Sequence, residues 1–167
     1  ARLRPRDGCG GEELSGEERM RRTEERIFVP IRAVQKLSRI FNEASRKFHR
    51  TGGIHAAALA DFERILLFRE DVGRRNAMEK LLGACLEEPD LSGKLILFSG
   101  RIAAEILEGA SLIGSPVLIA VSAPSSMAVE LAEKRGMTLI GFARGEEFNI
   151  YTHPERIEGT MLPPGLN

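Results

Sequence analysis

Cysteine is scarce in this sequence: two among 167 residues, Cys9 and Cys85. Their number and distance apart exclude a disulfide framework and a thiolate zinc cluster. Net charge is missing as well, with 24 Lys and Arg against 24 Asp and Glu. No global field therefore draws the chain to nucleic acid or to a membrane surface. Long apolar runs are absent too: none approaches the ~20 residues that a bilayer-crossing helix needs. The N-terminus is basic and polar, without the apolar centre of a secretory signal, so the expected address is the cytoplasm. No internal repeat or low-complexity tract is present.

What is present suits one globular core, since 43% of the residues are hydrophobic and the length is that of a single domain. Charge is unevenly placed: residues 1–50 hold 13 basic and 8 acidic side chains, a balance that favours an anionic ligand or an acidic partner. The chain begins with Ala1, which reads as processed or truncated. Residues 1–29, charged and rich in glycine, read as a flexible arm carrying Cys9.

From Pro30 the spacing of Ile31, Val34, Leu37, Phe41, Ala44 and Phe48 predicts an amphipathic helix of about five turns with Pro30 in its first turn. Ile54 to Leu59 and Ile65 to Phe68 read as neighbouring strands. Val72 to Leu86 has helical spacing. Thereafter strands at 94–98, 117–121, 137–142 and 148–151 alternate with helices at 102–112 and 126–135. Continuous apolar strands between helices imply a largely parallel sheet covered on both faces. The expected fold is α/β: a three-layer α/β/α sandwich over residues 30–157 with a mostly parallel sheet. The chain from Glu155 reads as loosening into a tail over 158–167.

In such sheets ligands bind beyond the carboxyl ends of the strands, where helix N-termini favour anions. Three segments have this form. Ser99-Gly100-Arg101 offers a close approach and a guanidinium, Ser122 to Ser126 repeats the arrangement at the next strand end, and Thr51-Gly52-Gly53 supplies a backbone nest. Each read alone is also an ordinary turn or cap. Arg69 to Asn76 reads either as a solvated loop with local salt bridges or as a place for Arg74 and Asn76 on the functional face. The stretch Phe142-Ala143-Arg144-Gly145-Glu146-Glu147 reads as a hairpin turn, or as a site pairing Arg144 with an aromatic ring in a manner suited to guanine or pterin.

The histidines say less. His49 and His153 read as surface residues, and His55 as a core histidine or a catalytic one. Cys85 falls on the apolar side of its helix, where a thiol is a small hydrophobe. Cys9 stands in Asp7-Gly8-Cys9-Gly10-Gly11, with Arg4 and Arg6 favouring its thiolate. The loop alone leaves a reactive thiol and an incidental one equally open.

Taken in order, TGGIHAAAL (51–59), REDVGRRNAMEK (69–80), SGR (99–101), VSAPSSMAVELAE (121–133) and GFARGEEFNIYTHPERI (141–157) resemble the accessory sulfurtransferases of formate dehydrogenase. The resemblance implies a cytidine-deaminase-like core and a homodimer. It also implies that Cys9 takes sulfur as a persulfide from a cysteine desulfurase and delivers it to a molybdenum, or tungsten, bis(molybdopterin guanine dinucleotide) cofactor. The cofactor would be a substrate; its contacts would come from Phe142 to Glu147, with Thr51, Gly52, Gly53, His55, Ser99, Gly100, Arg101, Ser122 and Ser125 at the strand ends.

This sequence departs from the family pattern in three ways. Cys9 lacks the second loop cysteine of many relatives, Arg75 stands where relatives often have histidine, and an N-terminal portion of domain size is expected to be missing. A zinc deaminase is excluded by residue type, because His55-Ala56-Ala57 lacks the acid and Pro124-Ser125-Ser126-Met127 lacks both thiols. Two further readings remain: a cofactor-holding chaperone without sulfur chemistry, and a guanine-nucleotide-binding regulatory module.

Overall fold

Two tight connections decide how the sheet is built at its edges. In the computed structural model, which describes residues 27–44, 52–88 and 90–159, β2 (His55–Ala60) turns into β3 (Ile65–Asp71). Asp61 Oδ1 makes the turn by accepting the backbone N–H groups of Glu63 and Arg64, each at 2.8 Å. At the other edge β6 (Thr138–Arg144) turns into β7 (Glu147–Thr152) through Gly145, whose φ of +66° favours glycine. Connections this short can join strands only in antiparallel fashion.

Between these hairpins lie β4 (Leu95–Phe98) and β5 (Val117–Ala120), in the order β3-β2-β4-β5-β6-β7. Among the described strands of this sheet only β4–β5 and β5–β6 are parallel, joined through α3 (Ala104–Ile113) and α4 (Ser126–Arg135). β2 runs antiparallel to both β3 and β4, and β7 runs antiparallel to β6. The sheet is therefore mixed, and the expectation of a mostly parallel one is corrected. Apolar strand content reports burial on both faces, and it does not report direction.

Alternation along the strands sends side chains to two cores. Leu59, Ile96, Phe98 and Leu118 meet α2 (Arg74–Cys85), α3 and α4 through Leu81, Ile106, Leu107 and Ala132. Ala58, Leu97, Ile119 and Ile140 meet α1 (Ile31–Ala44) through Val34, Leu37 and Phe41. Burying a side chain such as Leu37 contributes roughly 1.5–3 kcal/mol. Phe41 also makes an edge-on contact with Phe68 at 5.8 Å. The layers are thus unequal, with three helices on one face and α1 on the other among the described residues.

Other boundaries move for local reasons. Pro30 belongs to β1 (Val29–Pro30), directly ahead of α1, and Phe48 lies outside the described residues. β3 continues through Arg69 to Asp71, so the charged segment is strand end, turn and first helical residues. The chain from Glu155 does not loosen at once. A 3₁₀ turn at Pro154–Arg156 leads into β8 (Ile157–Glu158), which pairs in parallel with β1 and buries Ile157. His153 is mostly shielded, with Nδ1 3.0 Å from Glu155 Oε1 and Nε2 3.2 Å from the Glu133 carbonyl. Cys85 is buried in the three-helix core as expected. Burial, aided by Glu88 and opposed by Arg69, pushes its thiol up to about 11.

Candidate functional site

Because β2 runs opposite to β4, its first residue lies beside the carboxyl end of β4. Ser99 joins the two: Ala56 N–H donates to Ser99 Oγ at 2.8 Å, and Ser99 N–H donates to the Ala56 carbonyl at 3.0 Å. The next residue, Gly100, is buried under the His55 ring. A Cβ there would lie 3.1 Å from His55 Nδ1 and 3.1 Å from Phe98 Cε1. The His55 side chain has no hydrogen bond among the described residues. Burial, and after it the positive charge of Arg74, holds its pKa below the ordinary imidazole value.

Arg74 is the first residue of α2, placed by the turn that ends β3. Asp71 Oδ1 accepts Gly73 N–H at 2.9 Å and Asn76 Nδ2–H at 3.2 Å, and Asp71 pairs with Lys80. These partners hold the Asp71 carboxyl down at about 2, with Lys80 the largest influence. Arg74 Nη2 reaches Glu105 Oε1 of α3 at 3.3 Å. Asn76 therefore serves the turn, while Arg74 faces a cleft.

That cleft, of about 400 Å³, is lined by Arg74, Arg101, Ile102, Ala103, Ala123, Pro124 and Ser125. Its two sides are tied by backbone: Ile102 N–H donates to the Ala123 carbonyl at 3.1 Å, and Ser125 N–H to the Ile102 carbonyl at 2.8 Å. The cleft thus holds the starts of α3 and α4. Ser125 caps α4 by accepting Ala128 N–H at 3.2 Å, whereas Ala103 gives α3 no side-chain cap. Two helix N-termini and two guanidiniums make an environment for an anion. Among the described residues no group of three or more His, Cys, Asp or Glu side chains is placed to hold a metal.

The remaining expected residues divide. Gly52 and Gly53 are exposed ahead of β2, with φ of +68° at Gly52. Ser122 offers its carbonyl to Phe142 N–H at 3.3 Å, and Arg144 Nε donates to the Val121 carbonyl at 3.4 Å. These bonds bring the β6 end of the hairpin to the β5 strand end. Phe142 is partly exposed at a φ of +53° where β6 bulges, while Ala143 is buried on the α1 side. Glu146 and Glu147 line a separate open groove of about 780 Å³ with Ile31, Phe148, Ile150 and Tyr151. Cys9 and Thr51 lie outside the described residues.

Sequence reasoning did not single out Glu105, or the tight seat of Gly141. A Cβ at Gly141 would come within 3.0 Å of Pro124 Cδ and Tyr151 Cε2, and within 3.1 Å of the Ser122 carbonyl. No local signal reveals either contact, since Arg74 and Glu105 are 31 positions apart.

The sequence model of the FdhD/NarQ family matches residues 3–158. The chain belongs to that family. Among curated family members, the sulfur carrier protein FdhD of Bacillus subtilis (strain 168) is 46% identical over 132 residues, 78% of this chain and 50% of that protein. The sulfur carrier protein FdhD of Shouchella clausii (strain KSM-K16) is 49% identical over 117 residues, 70% of this chain and 44% of that protein. The chain spans about half the length of the curated family members it matches. A crystal structure from Desulfotalea psychrophila, assigned as a formate dehydrogenase accessory protein, superposes with a TM-score of 0.74 at 28% identity. It covers 81% of this chain and 61% of that one. The family match includes both Cys9 and the α/β core.

Proposed function

We propose that this chain is a sulfur carrier for the maturation of formate dehydrogenase, with Cys9 as the carrying thiol and the α/β core as the holder of the sulfur acceptor. The observation that carries the second half is the convergence of Arg74, Arg101 and the starts of α3 and α4 on one cleft. That the similar family members are sulfur carrier proteins supports the carrier role, and the glycine-flanked setting of Cys9 supports that thiol as the carrier.

Chemically, the Cys9 thiolate attacks the outer sulfur of a cysteine desulfurase persulfide, and the donor cysteine leaves as thiolate. The new outer sulfur on Cys9 then passes on when an electron-rich acceptor, here the substrate with its metal in the reduced state, supplies the electron pair that forms the new bond to it; the S–S bond breaks and Cys9 leaves as thiolate. Cys85 is unsuited to this step, because burial keeps it a thiol. The acceptor is a molybdenum or tungsten bis(molybdopterin guanine dinucleotide) substrate. Its phosphates suit the arginine-lined cleft, and Phe142 and Arg144 suit a planar heterocycle. The same reading takes the core as cytidine-deaminase-like without a zinc site, and the working unit as a cytoplasmic homodimer.

Mass spectrometry after incubation with a cysteine desulfurase and cysteine tests the carrier step. A one-sulfur adduct on Cys9 that disappears in Cys9→Ala is expected, together with loss of formate dehydrogenase activity in cells carrying only that variant. Full dehydrogenase activity with Cys9→Ala would leave a cofactor-holding chaperone as the better description.

A further inference from the structure

The groove beside β7 is separate from the arginine cleft. β7 is an edge strand, paired with β6 alone among the described strands. Phe148 and Ile150 turn to the α1 side of the sheet, where they are partly buried, and Ile31 stands with them at the start of α1. α1 is the one helix on this face among the described residues. The groove, of about 780 Å³, therefore has an apolar floor open to solvent, with Glu146 and Glu147 at one end.

Three segments longer than one residue lie outside the described residues, 1–26, 45–51 and 160–167, and one of them starts at this groove. Residues 1–26 join at Ile27, whose Cγ2 is 4.0 Å from where a Cβ on Gly93 would stand, just ahead of β4 and three strands from β7. Residues 45–51 follow the end of α1, one turn after Phe41, which meets Phe68 of β3 at the opposite edge of the sheet. Residues 160–167 follow Gly159, where a Cβ would stand 3.4 Å from Ile31 Cγ2. β8 runs parallel to β1, so the chain at Gly159 is headed as β1 is on entering α1. One turn further along α1, Gln35 Nε2 donates to the Glu146 carbonyl at 3.3 Å. A path from Gly159 toward Glu146 thus follows the groove, opposite in direction to β7.

We infer that residues 160–166 of this chain lie extended in this groove along the outer edge of β7, with Met161 and Leu162 packed on Ile31, Phe148 and Ile150. The reach is sufficient: residues 147–151 span roughly 17 Å as a strand, and residues 160–167 extend up to about 26 Å. The chemistry fits as well. Residues 160–167 carry no charged side chain, so none is repelled by Glu146 and Glu147. Pro163 and Pro164 restrict their backbone to extended forms, which lowers the entropy lost on docking. Docking also blocks an edge strand that would otherwise be open to pairing with another chain. The inference depends neither on the arginine cleft nor on Cys9.

Methyl NMR of the full chain tests it, with Ile65 and Leu67 of β3 as comparison. The expected result is nuclear Overhauser contacts from the Leu162 methyls to those of Ile31 and Ile150. The Ile31 and Ile150 signals should shift, and those of Ile65 and Leu67 should stay, when the chain is ended after Gly159 or carries Met161→Ser with Leu162→Ser. Absence of those contacts in the full chain overturns the inference. Ile31 and Ile150 signals that ignore both variants but move with protein concentration also overturn it, and give the groove to a second copy of the chain. The contacts in the full chain decide the matter even if a variant fails to fold.

Discussion

Ala56 and Ser99 hold each other twice, once through the Ser99 hydroxyl at 2.8 Å and once through its backbone N–H at 3.0 Å. This reciprocal pair fixes the start of β2 against the end of β4 and so places His55 over Gly100. Ser99→Ala should leave the Ala56 amide without its acceptor and destabilise the chain by roughly 1–2 kcal/mol. Denaturant unfolding should show a lower midpoint with an unchanged slope; an unaltered midpoint would remove Ser99 from this role.

Two glycines should respond to alanine in opposite senses. Gly141→Ala puts a methyl within 3.0 Å of Pro124 and Tyr151, and overpacking of this kind costs about 1–3 kcal/mol. Gly83 in α2 has nothing within 4 Å of a Cβ, so Gly83→Ala should stabilise by about 0.5–1 kcal/mol through helix propensity. Thermal melting of the two variants beside wild type checks both signs.

Acid stability should depend on Asp71. Its folded pKa, about 2, lies below the unfolded value of 3.8, so its contribution is complete above the unfolded value and fades as pH falls toward the folded one. Asp71→Asn should therefore flatten the unfolding curve between about pH 4 and pH 2. His55 acts at higher pH, because the ordinary imidazole value lies above that of a carboxylate, and its folded pKa is lowered. The unfolded chain takes up that proton first, so acidification below the ordinary imidazole value favours unfolding. His55→Gln should remove that part of the slope, as read from unfolding midpoints across the range.

The two cysteines should separate in reactivity. Cys85 is 3% exposed and its thiol is raised to about 11, so iodoacetamide at neutral pH should alkylate Cys9 in the native chain and reach Cys85 only after unfolding. Peptide mapping with and without denaturant gives the answer directly. Equal labelling of both in the native chain would contradict the buried position of Cys85.

Much of the architecture was legible from residue pattern. The 3.6 periodicity of Val34, Leu37 and Phe41 marks α1, and α4 appears at Ser126–Arg135 as its spacing indicates, because Ser125 caps it and Gly136 ends it in the left-handed region. The strands are legible for the same local reason. Arg101 and Ser125 fall at strand ends, as a parallel βαβ connection requires, and the structure brings them to one cleft.

What the sequence determined alone, then, is where helices and strands lie, which residues stand at strand ends and that the chain resembles a sulfur-transfer family. Those properties depend on neighbours a few positions apart. Only the tertiary structure decided strand direction, the splitting of Phe142 to Glu147 between two surfaces, the gathering of Arg74 and Arg101 at one cleft with the starts of α3 and α4, and the pairing of Arg74 with Glu105. The reason is physical: an apolar strand buries its side chains equally well in either direction. A guanidinium meets a carboxylate 31 positions away only after α2 and α3 have packed.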